Sequence, residues 1–209
     1  MNRDFVKLVE RGYDRIARDY LAWRADDLDL FRDDLQDLAR RLSTDAAVLD
    51  VGCGAGVPLT RWLSERFHVT GIDLSEEQLK LARQNVPRAS FLQQDMTALD
   101  LPPESFDAIT SFYALIHVPR QQHARVLAHF HRVVKPGGYL LLITGNGDLP
   151  NDVGDFFGAE MYWSHFDRAT SLQMIRDAGF EILWDKVVSD RPKGSHVLAL
   201  AQKNSEPTK

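Results

Sequence analysis

A chain of 209 residues with a single cysteine, Cys53, cannot close an internal disulfide, so no disulfide framework holds this fold. Basic residues are not in excess: 25 Lys and Arg stand against 30 Asp and Glu, a net charge of −5 that lacks the bulk positive field of a nucleic-acid binder, and none is expected as a partner. Long apolar runs are missing too. The longest, Tyr139-Leu140-Leu141-Leu142-Ile143, falls far short of the roughly 20 residues a membrane helix needs, so no membrane association is expected. The first seven residues mix charges with apolar side chains instead of forming a secretory leader, which makes a cytoplasmic location the expectation. What is present, 44% hydrophobic residues, suffices for a buried core, and the length predicts one domain with an embellishment.

Phe5, Val9, Tyr13, Ile16 and Tyr20 recur at steps of three and four, which predicts a helix over 3–23. Leu28, Phe31, Leu35, Leu38 and Leu42 predict a second helix, on which Asp26, Asp27, Asp29, Asp33, Asp34 and Asp37 read as a solvated face. From residue 47, short apolar runs alternate with helical patterns, the texture of βαβ units and a parallel sheet. Ser75-Glu76-Glu77-Gln78 fits a capping box, with Ser75 as N-cap and Gln78 reaching back. Strands are expected near 90–92, 106–110 and 139–144, with a helix over about 121–134 stopped by Pro136-Gly137-Gly138. Residues 145–166 read as an irregular, aromatic-rich loop. A helix over 168–178 and strands over 180–188 and 195–202 follow; the turn 190–194 is too short for a crossover, so those strands should pair antiparallel, and 204–209 read as a frayed tail.

The first βα turn, Asp50-Val51-Gly52-Cys53-Gly54-Ala55-Gly56-Val57-Pro58, is built for tight turning and close ligand approach, and Pro58 suits the start of a helix. Asp73 ends the second strand about 20 residues later, where a carboxylate can bond both hydroxyls of a ribose. A dinucleotide fingerprint would need glycine at position 57, which holds Val57, so a nicotinamide cofactor fits poorly. With Gly71-Ile72-Asp73-Leu74-Ser75, Gln94-Asp95-Met96, Phe106-Asp107-Ala108-Ile109 and Arg132-Val133-Val134-Lys135-Pro136-Gly137-Gly138, the chain resembles the small-molecule branch of the class I S-adenosylmethionine-dependent methyltransferases. The resemblance covers about residues 48–144 and the terminal strand pair.

That resemblance implies an α/β three-layer sandwich whose mostly parallel, seven-stranded Rossmann-like sheet ends in an antiparallel pair. Residues 1–46 would form an N-terminal helical cap and 47–204 the cofactor domain, with 145–167 as an aromatic loop over the substrate, all in one folding unit. It implies methyl transfer from S-adenosyl-L-methionine, leaving S-adenosyl-L-homocysteine, to a small-molecule acceptor, most readily at oxygen, with nitrogen or sulfur as alternatives and no metal. Gly52 and Gly54, flanking Cys53, would approach the methionine part, and Asp50 would support its ammonium. Asp73 would take the ribose, Asp95 the adenine amine, and Met96 and Leu74 would wall the ring, while Ser111 and Phe112 would lie beside the methionine part.

His117 follows the fourth strand at the open carboxyl edge of the sheet and is the candidate general base. Tyr13 or Tyr20, in a segment resembling the amino terminus of the same branch, is expected to pair with it. Tyr113, Tyr162, Trp163 and His165 are candidate acceptor walls. His123, His129 and His131 lack metal-ligand spacing and read as a solvated face. A cofactor-binding sensor without turnover is the alternative reading, and a monomer or a homodimer is equally compatible with the composition.

Overall fold

The computed structural model describes residues 4–24, 27–190 and 194–205. Asp26 of the acidic helix, the turn residues Arg191, Pro192 and Lys193, and residues 1–3 and 206–209 at the ends lie outside the described residues. In chain order the elements are α1 (Phe5–Trp23), α2 (Asp27–Arg41), β1 (Ala47–Val51), α3 (Leu59–Ser64), β2 (His68–Asp73), α4 (Glu76–Asn85), β3 (Ser90–Gln93) and β4 (Phe106–Ser111). Then follow α5 (His123–Val133), β5 (Val134–Gly145), β6 (Leu149–Phe156), β7 (Ala159–His165), α6 (Arg168–Asp177), β8 (Phe180–Asp190) and β9 (Gly194–Lys203). Seven strands form one sheet in the order β3-β2-β1-β4-β5-β9-β8, parallel up to β5 and antiparallel across β9 and β8.

Strand parity decides which helices cover which face. Leu49, Ile109, Leu140, Leu142, Val197 and Ala199 point to one side and meet Val126, Phe130 and Val133 of α5 and Leu172 and Ile175 of α6. Their neighbours Val48, Ala108, Leu141, Ile143, Leu198 and Leu200 point to the other and meet Phe31, Leu35 and Leu38 of α2 and Trp62 and Leu63 of α3. Burying each of those α2 side chains contributes about 1.5–3 kcal/mol, so α2 belongs to a core layer and not to a cap. Two of its aspartates are drawn in with it, against the expected solvated face. Asp34, 8% exposed, pairs with Lys186 of β8 at 2.7 Å, and Asp37 accepts from the Trp184 indole at 2.8 Å. The expected solvated face of α5 is corrected as well. His123 is buried and bonds the Val118 carbonyl, His129 bonds the Met96 carbonyl, and His131 packs edge-on against Phe180.

The stretch expected as an irregular loop is a two-stranded antiparallel hairpin, β6–β7. Its turn residues Phe157 and Gly158 both have positive φ, 54° and 79°, the backbone of a tight turn whose twist matches paired strands. β6 has no buried residue and carries Pro150, Asn151 and Gly154, which an edge strand tolerates, so its sequence has a loop's texture. β7 buries Met161 and Tyr162 against Val9 and Ile16 of α1. Gly12 permits that approach: a Cβ there would sit 2.9 Å from Met161 Cε and 3.0 Å from the Glu160 carbonyl.

Half of the expected capping box forms. Ser75 Oγ accepts from the Gln78 N–H at 3.1 Å, but the Gln78 amide is buried without a hydrogen-bond partner among the described residues. The Ser75 N–H, which the Gln78 side chain would cover in a full box, donates instead to Asp73 Oδ1 at 2.9 Å, and α1 adds a further acceptor. Asp14 Oδ1 accepts from Ser75 Oγ at 2.6 Å and from the Glu77 N–H at 3.2 Å, which ties α1 to the start of α4.

Candidate functional site

Between β1 and β4 the sheet order reverses direction, and in open α/β sheets ligands bind beyond the carboxyl ends of the strands at such a switch point. The glycine turn leaves β1 there. The Gly52 and Cys53 N–H groups both donate to the Ile72 carbonyl, at 2.8 and 3.0 Å, which folds the turn back over β2. Gly52 has φ +72°, and a Cβ on it would collide with Ala114 Cβ, so no side chain is admitted. Asp50, 3% exposed, braces the turn from beneath: Thr60 Oγ1 donates to one oxygen at 2.5 Å and Thr110 Oγ1 to the other at 2.8 Å. Burial raises its pKa against those two bonds.

Asp73 ends β2 with one carboxylate oxygen accepting from the Gly54 N–H and the other from the Ser75 N–H, both at 2.9 Å. Burial pushes it up to about 6 while the backbone donors pull it back, so the carboxylate is ionised at neutral pH. Each oxygen keeps lone-pair capacity for a ligand hydroxyl. Asp95 caps the short 3₁₀ turn Met96–Ala98, accepting from Thr97 N–H at 2.8 Å and Thr97 Oγ1 at 2.7 Å.

A cleft opens over these strand ends. Its walls bring together Gly52, Gly54, Asp73, Leu74, Asp95 and Met96 with Phe112, Tyr113 and His117, and α1 closes it with Tyr13 and Tyr20. Burial pushes His117 down to about 4, so it is neutral at pH 7. Its Nδ1 lies 2.7 Å from the Tyr162 carbonyl, which can only accept, so the proton of the neutral ring is on Nδ1. Nε2 is then the acceptor, and Tyr13 Oη donates to it at 2.8 Å. Burial, followed by the neighbouring Tyr20, raises the Tyr13 pKa well above its ordinary value, which keeps the phenol protonated. Tyr20 meets Tyr13 edge-on, with ring centroids 5.1 Å apart, and does not replace it at His117.

Six expected site residues lie outside the cleft, and one of them is Asp50, held beneath the glycine turn by Thr60 and Thr110. Ser111 is fully buried with no partner for its hydroxyl among the described residues. Cys53 turns its thiol toward the cluster of Leu79, Ala82 and Phe91, and burial raises its pKa well above the ordinary value. Tyr162 stacks on Phe5 at 4.0 Å and serves His117 through its carbonyl, not its ring. Trp163 packs behind His117, 5.8 Å between centroids, and His165 Nδ1 bonds the Gly147 carbonyl. Val6, Val9 and Glu10 also line the cleft from α1 and were not among the expected site residues; their spacing of seven, four and three from Tyr13, which puts them on its helix face, was the available signal. Among the described residues no group of three metal-ligating side chains occurs, and no helix is long and apolar enough to cross a membrane.

A family model described as "Methyltransferase domain" matches residues 48–138. The chain is 31% identical over 156 residues to a demethylmenaquinone methyltransferase of Listeria monocytogenes, covering 68% of this chain and 61% of that one. It is 34% identical over 152 residues to a ubiquinone biosynthesis O-methyltransferase of Thiobacillus denitrificans, covering 64% of each. It thus spans less than two thirds of the length of these curated relatives. Among solved structures, a SAM-dependent methyltransferase of Methanosarcina mazei superposes with a TM-score of 0.71 at 25% identity, over 80% of this chain and 96% of that one. With the glycine turn, the Asp73 carboxylate and the bend at Gly137-Gly138 all inside the matched segment, on a sheet shared with that structure, this chain belongs to the class I S-adenosylmethionine-dependent methyltransferases.

Proposed function

We propose that this protein transfers the methyl group of S-adenosylmethionine to a hydroxyl of a small organic acceptor. The observation that carries this reading is that one cleft holds both the Asp73–Gly54 floor and the Tyr13–His117 pair. The cleft fits the cofactor: Asp73 retains two oxygens for a ribose, Asp95 faces the same space for an adenine amine, and Met96 and Leu74 supply apolar walls. When bound, the cofactor supplies a methyl group on a sulfonium, open to in-line displacement. The protein's contribution is to hold the nucleophile in line, about 3–3.5 Å from that carbon, and to keep water out. Tyr13, Tyr20, Phe112 and Tyr113 form a wall suited to a flat, largely apolar acceptor.

Tyr13 already donates to His117, so an acceptor hydroxyl hydrogen-bonded to the Tyr13 oxygen can release its proton there while the Tyr13 proton passes to His117 Nε2. Nδ1 is committed to Tyr162, which leaves Nε2 as the single site able to receive it. A histidine at about 4 is a weak base, which favours an acidic hydroxyl such as a phenol or enol over an aliphatic alcohol. The O-directed activity in the name of the ubiquinone-pathway relative supports the same choice. One free thiol fits a reducing, cytoplasmic setting.

The test is incubation with methyl-deuterated cofactor and a metabolite extract, followed by mass spectrometry. An O-methylated small molecule carrying the label is expected. Label on nitrogen, carbon or sulfur would refute the hydroxyl, and no labelled product from a folded, cofactor-binding protein would refute turnover.

A further inference from the structure

We infer that the acceptor carries an apolar tail, which lies on a row of aromatic rings running from the cleft to the hairpin turn; the inference rests on reading the cleft as the site of methyl transfer to a phenol-like hydroxyl. Tyr13, Tyr20 and Trp23 recur at steps of seven and three on one face of α1. Tyr13 and Tyr20 line the cleft. Beyond it, Tyr20 meets Trp23 and Phe156 with ring centroids 5.9 and 6.0 Å apart, and Trp23 meets Phe157 at 5.8 Å. Phe156 and Phe157 are themselves 4.9 Å apart. The helix rises about 15 Å between Tyr13 and Trp23, so the row extends the acceptor space well past the reacting end.

Folding alone does not account for the outer end of that row. Phe157 is 43% exposed, and its φ of 54° is a backbone that a bulky side chain adopts only at a cost. Asn would close the same turn without the ring. Tyr20, Trp23 and Phe156 are each no more than half-buried. Arg24 stacks over Tyr20 and Trp23, its guanidinium carbon 5.8 and 5.6 Å from their centres, so the tail is assigned to the side of Phe156 and Phe157. Continuity with the cleft through Tyr20 names the occupant. An apolar chain attached to the reacting ring would otherwise pass straight from the cleft into water, and the exposed rings give it a surface to cover.

The probes are 4-methylphenol and 4-octylphenol, each titrated calorimetrically into the full chain saturated with S-adenosylhomocysteine. The wild type should bind the octyl compound about 100-fold more tightly, the scale expected when the added methylenes are half-covered by the rings. Phe157→Asn, which suits the turn, should weaken 4-octylphenol by about 10-fold and leave 4-methylphenol unchanged. Phe157→Leu should retain part of the preference, since it keeps an apolar surface. Val187→Ser, on the edge strand β8 and 46% exposed in the wild type, should change neither ligand. A wild-type ratio near one, or a full ratio retained in Phe157→Asn, overturns the tail. An equal loss in Val187→Ser marks general adsorption to apolar surface and overturns it as well, as does a parallel weakening of both phenols in Phe157→Asn. Binding of neither phenol by the saturated wild type overturns the phenol-like acceptor itself, a distinct failure.

Discussion

Replacing Tyr13 with Phe removes one oxygen and leaves His117 Nε2 facing a ring that cannot donate. His117 is 8% exposed, so water has little access to the abandoned lone pair, and an unpaired buried acceptor costs about 1–3 kcal/mol. For a chain of this size each kcal/mol lowers the melting temperature by roughly 2–4 °C. A double-mutant cycle separates the bond from the packing. His117→Leu deletes the acceptor, and in that background Tyr13→Phe should cost about 1–2 kcal/mol less than in the wild type. Turnover on the acceptor found by deuterium labelling should fall by about 10²–10⁴ in Tyr13→Phe, the usual contribution of positioned proton transfer. Cofactor affinity should hold, because the proposed cofactor contacts at Asp73 and Asp95 do not involve the Tyr13 oxygen. Urea unfolding of the four proteins and single-turnover kinetics measure both quantities. Additive stabilities would refute the hydrogen bond, and wild-type turnover in Tyr13→Phe would refute the proton path.

Stability should fall as pH drops below about 6.5. His117 and His123 both lie at about 4 in the fold against 6.5 ordinarily, so the unfolded chain takes up their protons first, and that loss accrues from 6.5 down to 4. Asp73, raised to about 6, works the other way, since below 6 the folded chain protonates first. His117→Asn should reduce the slope by about 1.4 kcal/mol per pH unit between about 6 and 4.5, read from urea midpoints, and an unchanged slope would contradict its buried neutral state. Gly52→Ala should cost about 1–2 kcal/mol for its left-handed backbone, plus the displacement of Ala114, and calorimetry should show cofactor binding collapse. Wild-type affinity in that variant would mean the turn does not hold the ligand. Asp14→Ala should cost about 0.5–2 kcal/mol and speed amide exchange in α1 and at the start of α4; no change would show that Asp14 does not tie the two helices.

The sheet was legible because its signal is local. Val48 against Leu49, and Leu140 and Leu142 against Leu141 and Ile143, alternate along the chain itself, and that parity chooses the helix layer on each side. The Gly52–Gly54 turn and Asp73 were legible because a tight turn and a strand-end carboxylate are fixed by residue type. What escaped depends on partners distant in sequence. Asp34 and Asp37 look solvated on their own helix and are engaged only because β8 brings Lys186 and Trp184 against them. The hairpin escaped because β6 is paired on one side only, so Pro150 and Gly154 cost it little. Tyr162 was expected to offer its ring and offers its carbonyl, a contribution that no side-chain pattern encodes. Asp14 escaped because Ser75 and Gln78 appeared to complete the cap by themselves.

Diffraction from crystals grown with S-adenosylhomocysteine will show whether the cleft is the cofactor site. Density is expected across the Gly52–Gly54 turn, with the ribose hydroxyls on Asp73, the adenine amine on Asp95 and the sulfur facing Tyr13 and His117. Density at another place, or an empty cleft at a saturating concentration, would contradict it.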